Sequence, residues 1–158
     1  MRMIRRIVCL PITIVLLLVI GCADPEKELA NKILRMPIEQ RAGELSQLSA
    51  KQQVDVYLYV YRRTEPPVIL AGELAKNWRA TLPSITSRLE NEQNETSIAA
   101  LMLALSAVSS QYCSLAERND VLAVAQQAVS RIGPPYRDLA ERQLSLMKHP
   151  EKQLPPCR

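Results

Sequence analysis

Side chains that could carry out acid–base or metal chemistry are few and scattered in this sequence. His149 is the only histidine, and it lies beside Pro150 in a charged C-terminal tail where no nucleophile is held nearby. Glu90, Glu92 and Glu95 are close enough to suggest a cation site or a carboxylate pair. A calcium-type loop also needs a glycine, and this stretch has none. We therefore interpret the glutamates as a solvated loop and predict no catalytic residue, metal or cofactor.

Tyrosines and arginines near the middle of the chain could form a contact for another protein. Tyr57, Tyr59 and Tyr61 alternate with apolar residues and are followed by Arg62 and Arg63. Exposed Tyr and Arg often anchor protein partners. The alternative for Tyr57 and Tyr61 is a place in the core with the hydroxyls at its edge, which we favour. This leaves Tyr59, Arg62 and Arg63 as a candidate partner surface.

The start of the chain has the composition of a signal peptide. Its first residues carry three arginines and no acid, and residues 7–20 follow as an almost continuously apolar run. The run is shorter than the about 20 residues that a membrane-spanning helix requires. Because the arginines belong to this segment, the rest of the chain is nearly neutral, and we predict no nucleic-acid partner.

The end of the apolar run resembles the lipobox of bacterial lipoproteins. Its residues are Val19, Ile20, Gly21 and Cys22. The resemblance implies that signal peptidase II cleaves between Gly21 and Cys22 and that Cys22 carries a diacylglyceryl thioether and a further acyl chain such as palmitate. Two or three acyl chains on one residue hold a protein stably at a membrane. Residues 1–21 are then the removed signal peptide, and residues 22–158 form one lipid-anchored domain.

The residues after Cys22 bear on the membrane in which the anchor is expected. In the lipoprotein class, an Asp directly after the acylated Cys favours retention in the inner membrane. Here that position is Ala23, and Asp24 comes one residue later. The resemblance therefore implies the periplasmic face of the outer membrane in preference to the inner membrane.

Cys113 and Cys157 are the thiols that remain if residues 1–21 are removed and Cys22 is acylated. An even pair in an oxidising periplasm favours a disulfide. The closed loop would contain about 45 residues, for which chain entropy gives a stabilisation on the order of 4 kcal/mol. One sequence does not show whether the two Cβ atoms meet, so a bridge and two free thiols both stay open.

Glycine and proline usage predicts the fold class. The sequence has only four glycines, which argues against the tight hairpins of a β-fold, and its eleven prolines cluster at the boundaries of apolar segments. Residues 54–61 alternate as a strand would, but no second segment offers a pairing partner. Ser49 and Gln52 match a capping box just before this stretch. We therefore predict a helix there and an all-α fold.

Capping residues and apolar periodicity divide the chain into short helices. The predicted segments are residues 25–35, 37–48, 49–61, 70–77, 78–90, 98–108, 119–132 and 134–147. Asn77 is expected to take a left-handed conformation at a helix end, and Asn119 and Asp120 are expected to cap the next-to-last helix. Residues 98–108 are apolar on nearly every side, which indicates a buried helix. We favour a core position for Trp78 over a partner site.

The predicted helices pair as short antiparallel hairpins. Capped starts at Ser49 and Asn94 lie about 45 residues apart, within the range of HEAT and armadillo units, so the fold is either a HEAT/armadillo-like stack or an irregular helical bundle. Residues 57–61, the Pro66-Pro67 break and residues 70–90 together resemble small bacterial proteins with a HEAT-like fold. That resemblance implies a helical fold and brings no known chemistry.

These observations lead to three functional hypotheses. The first is a non-enzymatic envelope lipoprotein whose helical domain binds another protein or acts as a scaffold at the membrane. The second is an inhibitor or exclusion-type lipoprotein that acts on an envelope enzyme or machinery. The third is a helical ligand-binding or enzymatic domain, which a pocket with converging polar groups would favour.

Overall fold

The computed structural model describes residues 25–63 and 68–152, and within these ranges the chain is all-α, as predicted. The helices are α1 Pro25–Arg35, α2 Ile38–Ser46, α3 Ala50–Tyr61, α4 Val68–Lys76, α5 Trp78–Asn91, α6 Glu95–Gln111, α7 Asn119–Ser130 and α8 Tyr136–Lys148. Short 3₁₀ segments follow α6 and α8, at Cys113–Glu117 and Pro150–Lys152. The predicted signal peptide and Cys22 lie outside the described residues.

The helices stack in two layers. Each odd-numbered helix packs on the next odd-numbered helix, and each even-numbered helix packs on the next even-numbered one. Consecutive helices also contact each other across short connections, as α5 does with α6 and α7 with α8. Because a helix that packs back on its neighbour after a short connection must reverse direction, these pairs are antiparallel hairpins. Stacked hairpins of this kind are the architecture of helical solenoids.

The odd-numbered helices run parallel to one another. Lys51, in the first turn of α3, pairs with Glu26 in the first turn of α1 at 2.9 Å. Arg62, which caps the end of α3, lies 3.6 Å from Glu92, which caps the end of α5. Arg131, which caps the end of α7, donates hydrogen bonds to carbonyls at the end of α5. The first turns of the odd-numbered helices therefore all lie at one end of the domain, which we call the start end.

Helix α6 is the centre of the core, and the buried helix predicted for residues 98–108 is confirmed. Its large apolar side chains Ile98, Leu101, Met102, Leu105 and Val108 are fully buried. The helix packs on α4 and α8 in its own layer and on α5 in the other. The Tyr57 hydroxyl of α3 donates a 2.8 Å hydrogen bond to the Ala100 carbonyl, which ties the two layers together. In the described part of the chain, no helix is both long and apolar enough to cross a membrane.

Two of the predicted helix starts are present as expected. The Ser49 side chain accepts from the Gln52 backbone N–H, and the Gln52 side chain accepts from the Ser49 backbone N–H, which completes the capping box of α3. The Asn94 side chain caps α6 by accepting from the Ser97 N–H at 3.0 Å. Residues 54–61, with their strand-like alternation, lie within α3.

The expectation for Asn77 is wrong. Its φ and ψ are −100° and 30°, which is not the left-handed region, and it precedes α5 without a side-chain capping bond. The reason is that Thr81 donates a 2.8 Å hydrogen bond to the Leu74 carbonyl. A carbonyl near the end of α4 is thus satisfied by a side chain, and no left-handed residue is needed.

The expected cap of α7 is also wrong in detail. The helix begins at Asn119, and the capping position is taken by Arg118, which makes no side-chain capping bond. Asp120 instead accepts two hydrogen bonds from the Arg118 guanidinium, at 2.9 and 2.7 Å. This contact holds the pKa of the Asp120 carboxyl at about 2. The carboxylate therefore stays charged in the first turn of α7, where its interaction with the helix dipole is favourable.

Candidate functional site

The structure places the predicted site residues in different parts of the molecule. Gly21, Cys22 and Cys157 lie outside the described residues, so lipidation and cleavage stay predictions. Cys113, at the start of the 3₁₀ segment after α6, takes part in a disulfide. Its pairing with Cys157 also stays a prediction.

The candidate partner surface divides into two parts. The half-buried Tyr59 ring lies under the Arg63 guanidinium at 4.8 Å, and its hydroxyl lies 3.4 Å from the Asn31 side-chain oxygen. Arg62 points elsewhere and donates a 2.7 Å hydrogen bond to the Ser97 hydroxyl. That Tyr59, Arg62 and Arg63 form a partner surface remains a prediction.

The tyrosines and the tryptophan considered for this surface lie mostly inward. The Tyr57 and Tyr61 side chains belong to the core, as we favoured. Trp78 is half-buried against the core rather than within it, and its ring stacks on Tyr112.

The three glutamates near the α5–α6 connection do not converge. The Glu92 carboxylate is buried and accepts hydrogen bonds from the backbone N–H groups of Gln93 and Asn94 at 3.1 and 3.0 Å. Glu95 accepts from the backbone N–H of Gly133 at 3.0 Å, whereas Glu90 is exposed. The interpretation as a solvated loop is therefore wrong for Glu92, because this carboxylate satisfies the backbone of the turn. No group of three potential metal ligands occurs within residues 25–63 and 68–152.

Grooves follow one another between the odd-numbered helices. Their volumes are about 260 Å³ between α1 and α3, about 450 Å³ between α3 and α5, and about 360 Å³ between α5 and α7. The α3–α5 groove is lined by Lys51, Val54, Asp55, Pro83, Ser84, Ser87, Arg88 and Asn91. Pro83 and Ser87 also line the α5–α7 groove. Small side chains on the ridge of α5 thus leave space on both sides of that helix.

A chain of alternating charges crosses the α3–α5 groove. The Asp55 carboxylate is nearly buried, with a side chain 7% exposed, and lies 2.7 Å from the Lys51 ammonium and 4.0 Å from the Arg88 guanidinium. The hydrogen bond from Lys51 to Asp55, and a second to Glu26, raise the pKa of Lys51 above its ordinary value. Lys51 is therefore a cation at neutral pH.

Arg88 is held between two buried carboxylates. Its Nε lies 3.3 Å from Glu92, and Glu92 in turn lies 3.6 Å from Arg62. The acids of this network are buried, while Arg88 and Arg62 are 46% and 42% exposed. The groove thus presents cations in fixed positions beside small polar side chains, an arrangement that suits the backbone and acidic side chains of another polypeptide.

Sequence reasoning did not find this network. The spacings of Lys51 with Asp55 and of Arg88 with Glu92 are both i,i+4, so each pair could have been predicted along its own helix. The contacts between helices carry no such local signal. Comparisons with protein-family models, with curated proteins and with solved structures found no significant match.

Proposed function

We propose that this chain is a non-enzymatic lipoprotein of the bacterial cell envelope, anchored through Cys22, whose helical domain binds another protein. The observation that carries the proposal is the row of grooves between α1, α3, α5 and α7, with fixed charges along the α3–α5 groove. Stacked helical hairpins form extended surfaces that accommodate a partner segment without moving.

The α3–α5 groove supports an extended polypeptide as the occupant. Ser84, Ser87 and Asn91 offer hydrogen-bonding groups along one side, while Val54 and Pro83 offer apolar surface. Arg88 is oriented by Asp55 and Glu92, so little side-chain entropy is lost when it pairs with a partner carboxylate. These features favour a partner segment that contains acidic residues.

Site-specific photo-crosslinking in living cells tests this proposal. A photoreactive amino acid at Ser87, exposed on the ridge of α5, is expected to capture one protein of defined mass. The matched control is the same amino acid at Ser145, which is exposed on α8 in the even-numbered layer. Adding the substitution Arg88→Glu should abolish the capture at Ser87. Equal capture at both positions, or capture that survives Arg88→Glu, would contradict a partner in this groove.

The same experiment separates the scaffold hypothesis from the inhibitor or exclusion-type alternative. An envelope enzyme captured at Ser87, with higher activity in cells that lack this chain, would favour an inhibitor. A captured structural or assembly protein would favour a scaffold.

The lipid anchor is tested by metabolic labelling with a fatty acid. We expect label in the native chain and none in the Cys22→Ser variant, which should also fail to mature to the shorter form. Label retained by Cys22→Ser would contradict the lipoprotein assignment, whatever the crosslinking shows.

A further inference from the structure

The start end of the domain carries an aromatic and basic cluster at the mouth of the α5–α7 groove. Trp78 stacks on Tyr112, with ring centroids 4.1 Å apart and planes 3° from parallel. The Arg79 guanidinium lies 4.7 Å from the centroid of the Trp78 ring. Arg118 interacts with the Tyr112 side chain and pairs with Asp120 at 2.7 Å. We call Trp78, Arg79, Tyr112 and Arg118 the aromatic–basic cluster.

Helix α5 begins at this end beside α7. Trp78 and Arg79, at the start of α5, line one groove with Arg118, which precedes α7. Lys51 in the first turn of α3 pairs with Glu26 in the first turn of α1. The aromatic–basic cluster thus lies at the end of the domain where α1, α3, α5 and α7 all begin.

The predicted anchor emerges at this same end. Cys22 comes only three residues before Pro25, the first residue of α1, and three extended residues span about 10 Å. This step rests on the proposed lipidation of Cys22, which fixes that residue at the membrane. The start of α1 then lies within about 10 Å of the phospholipid headgroups. Because α5 begins at the same end of the domain as α1, its start comes within reach of the same surface.

We propose that the aromatic–basic cluster is a second membrane contact that docks on anionic phospholipid headgroups. Trp and Tyr have an apolar body and a polar tip, which suits them to the boundary between headgroups and acyl chains. Arg79 is exposed, and the contact that the structure shows for its guanidinium is with the Trp78 ring rather than with a carboxylate. Its charge is therefore available to a lipid phosphate. Anchor and cluster together hold the domain upright, with the odd-numbered helices directed away from the bilayer.

Quenching of the Trp78 fluorescence tests the contact, because this is the only tryptophan in the chain. The lipidated mature protein is reconstituted in vesicles of phosphatidylethanolamine and phosphatidylglycerol whose acyl chains are brominated near the glycerol. We expect the bromines to reduce the Trp78 emission by roughly half relative to unbrominated vesicles, as for an indole at the interface. The Arg79→Glu substitution should remove most of this quenching.

A matched control moves the indole to the other end of the layer. In the double variant Trp78→Tyr with Tyr59→Trp, the tryptophan lies beside Arg63, which stacks on position 59 as Arg79 does on position 78. We expect no quenching there, and circular dichroism confirms that each variant is folded. Equal quenching at the two positions would overturn the proposed orientation.

Fatty-acid label on the same samples separates this inference from the proposed function. Labelled protein with unquenched Trp78 overturns the second contact and leaves the anchor in place. Unlabelled protein removes both the anchor and the tether argument, and so overturns both.

Discussion

At the scale of single residues, Tyr57 connects the two layers. Its side chain is fully buried, and its hydroxyl donates to the Ala100 carbonyl in the middle of α6. Burial raises the pKa of Tyr57 well above its ordinary value. A phenol in this position packs in the core and has its hydroxyl satisfied by that carbonyl, which is why a polar aromatic residue is tolerated there.

The Tyr57→Phe substitution should lower the free energy of unfolding by about 1 kcal/mol, because it removes the buried hydrogen bond from the Tyr57 hydroxyl to the Ala100 carbonyl. Urea denaturation at neutral pH measures the change. The control is Tyr59→Phe, whose half-buried hydroxyl makes a longer contact of 3.4 Å and whose loss should cost less than about 0.5 kcal/mol. Equal losses in the two variants would contradict the assigned role of the Tyr57 hydroxyl.

The same residue predicts a pH dependence. Unfolded Tyr loses its proton near pH 10, while folded Tyr57 keeps it, so the unfolded state is stabilised as pH rises. The contribution of Tyr57 is fully present below about pH 10 and is lost above it, by up to about 1.4 kcal/mol per pH unit. Tyr57→Phe should therefore make the alkaline loss of stability shallower. An unchanged slope between pH 9 and 11 would show that Tyr57 titrates normally.

At the scale of the helices, two asparagines precede helix starts but act differently. The Asn94 side chain caps α6, whereas Asn77 makes no side-chain capping bond to α5. Asn94→Ala should lower the free energy of unfolding by about 1 kcal/mol, and Asn77→Ala should change it little. Thermal or urea denaturation of the two variants provides the comparison. A larger cost at Asn77 would mean that the α4–α5 junction depends on that side chain.

These caps explain which helices were predictable from sequence. The capping box of Ser49 and Gln52 identified a helix at residues 54–61 in spite of their strand-like alternation. It could be recognised from sequence because its two side chains lie within four residues of each other. Asn77 was misjudged because Thr81, from the next helix, satisfies the Leu74 carbonyl. A contact of that kind depends on how two helices meet, which local patterns do not encode.

The candidate groove was hidden for the same reason. The pairs of Asp55 with Lys51 and of Glu92 with Arg88 could be predicted along single helices. The contacts of Asp55 with Arg88 and of Glu92 with Arg62 depend on the parallel packing of α3 and α5. Polar residues in an otherwise apolar helix such as α3 were the available signal. Their partners become visible only when the helices are assembled.

At the scale of the whole molecule, the disulfide at Cys113 restrains the connection between α6 and α7. We predict that Cys157 is its partner. The substitutions Cys113→Ser and Cys157→Ser should then lower the free energy of unfolding by similar amounts, on the order of 4 kcal/mol less any strain in the native bridge. The double variant should lose no more than either single one.

Mass spectrometry of unreduced protein identifies the pair directly. A peptide that joins Cys113 to Cys157 is the expected product. A bridge from Cys113 to the same residue of a second chain, or an alkylatable Cys157 in oxidised protein, would contradict the intramolecular pairing.

The stacking of each helix on its near neighbours also determines how the domain would bear a mechanical load. The main packing partners of α1 are α2 and α3, and the large buried side chains are concentrated around α6. If the proposed anchor at Cys22 and the proposed partner are both engaged, a tension between them enters the domain through α1 and passes to the helices packed on it. The domain would therefore yield first by separation of α1 from α2 and α3, while the central helices around α6 keep their shape.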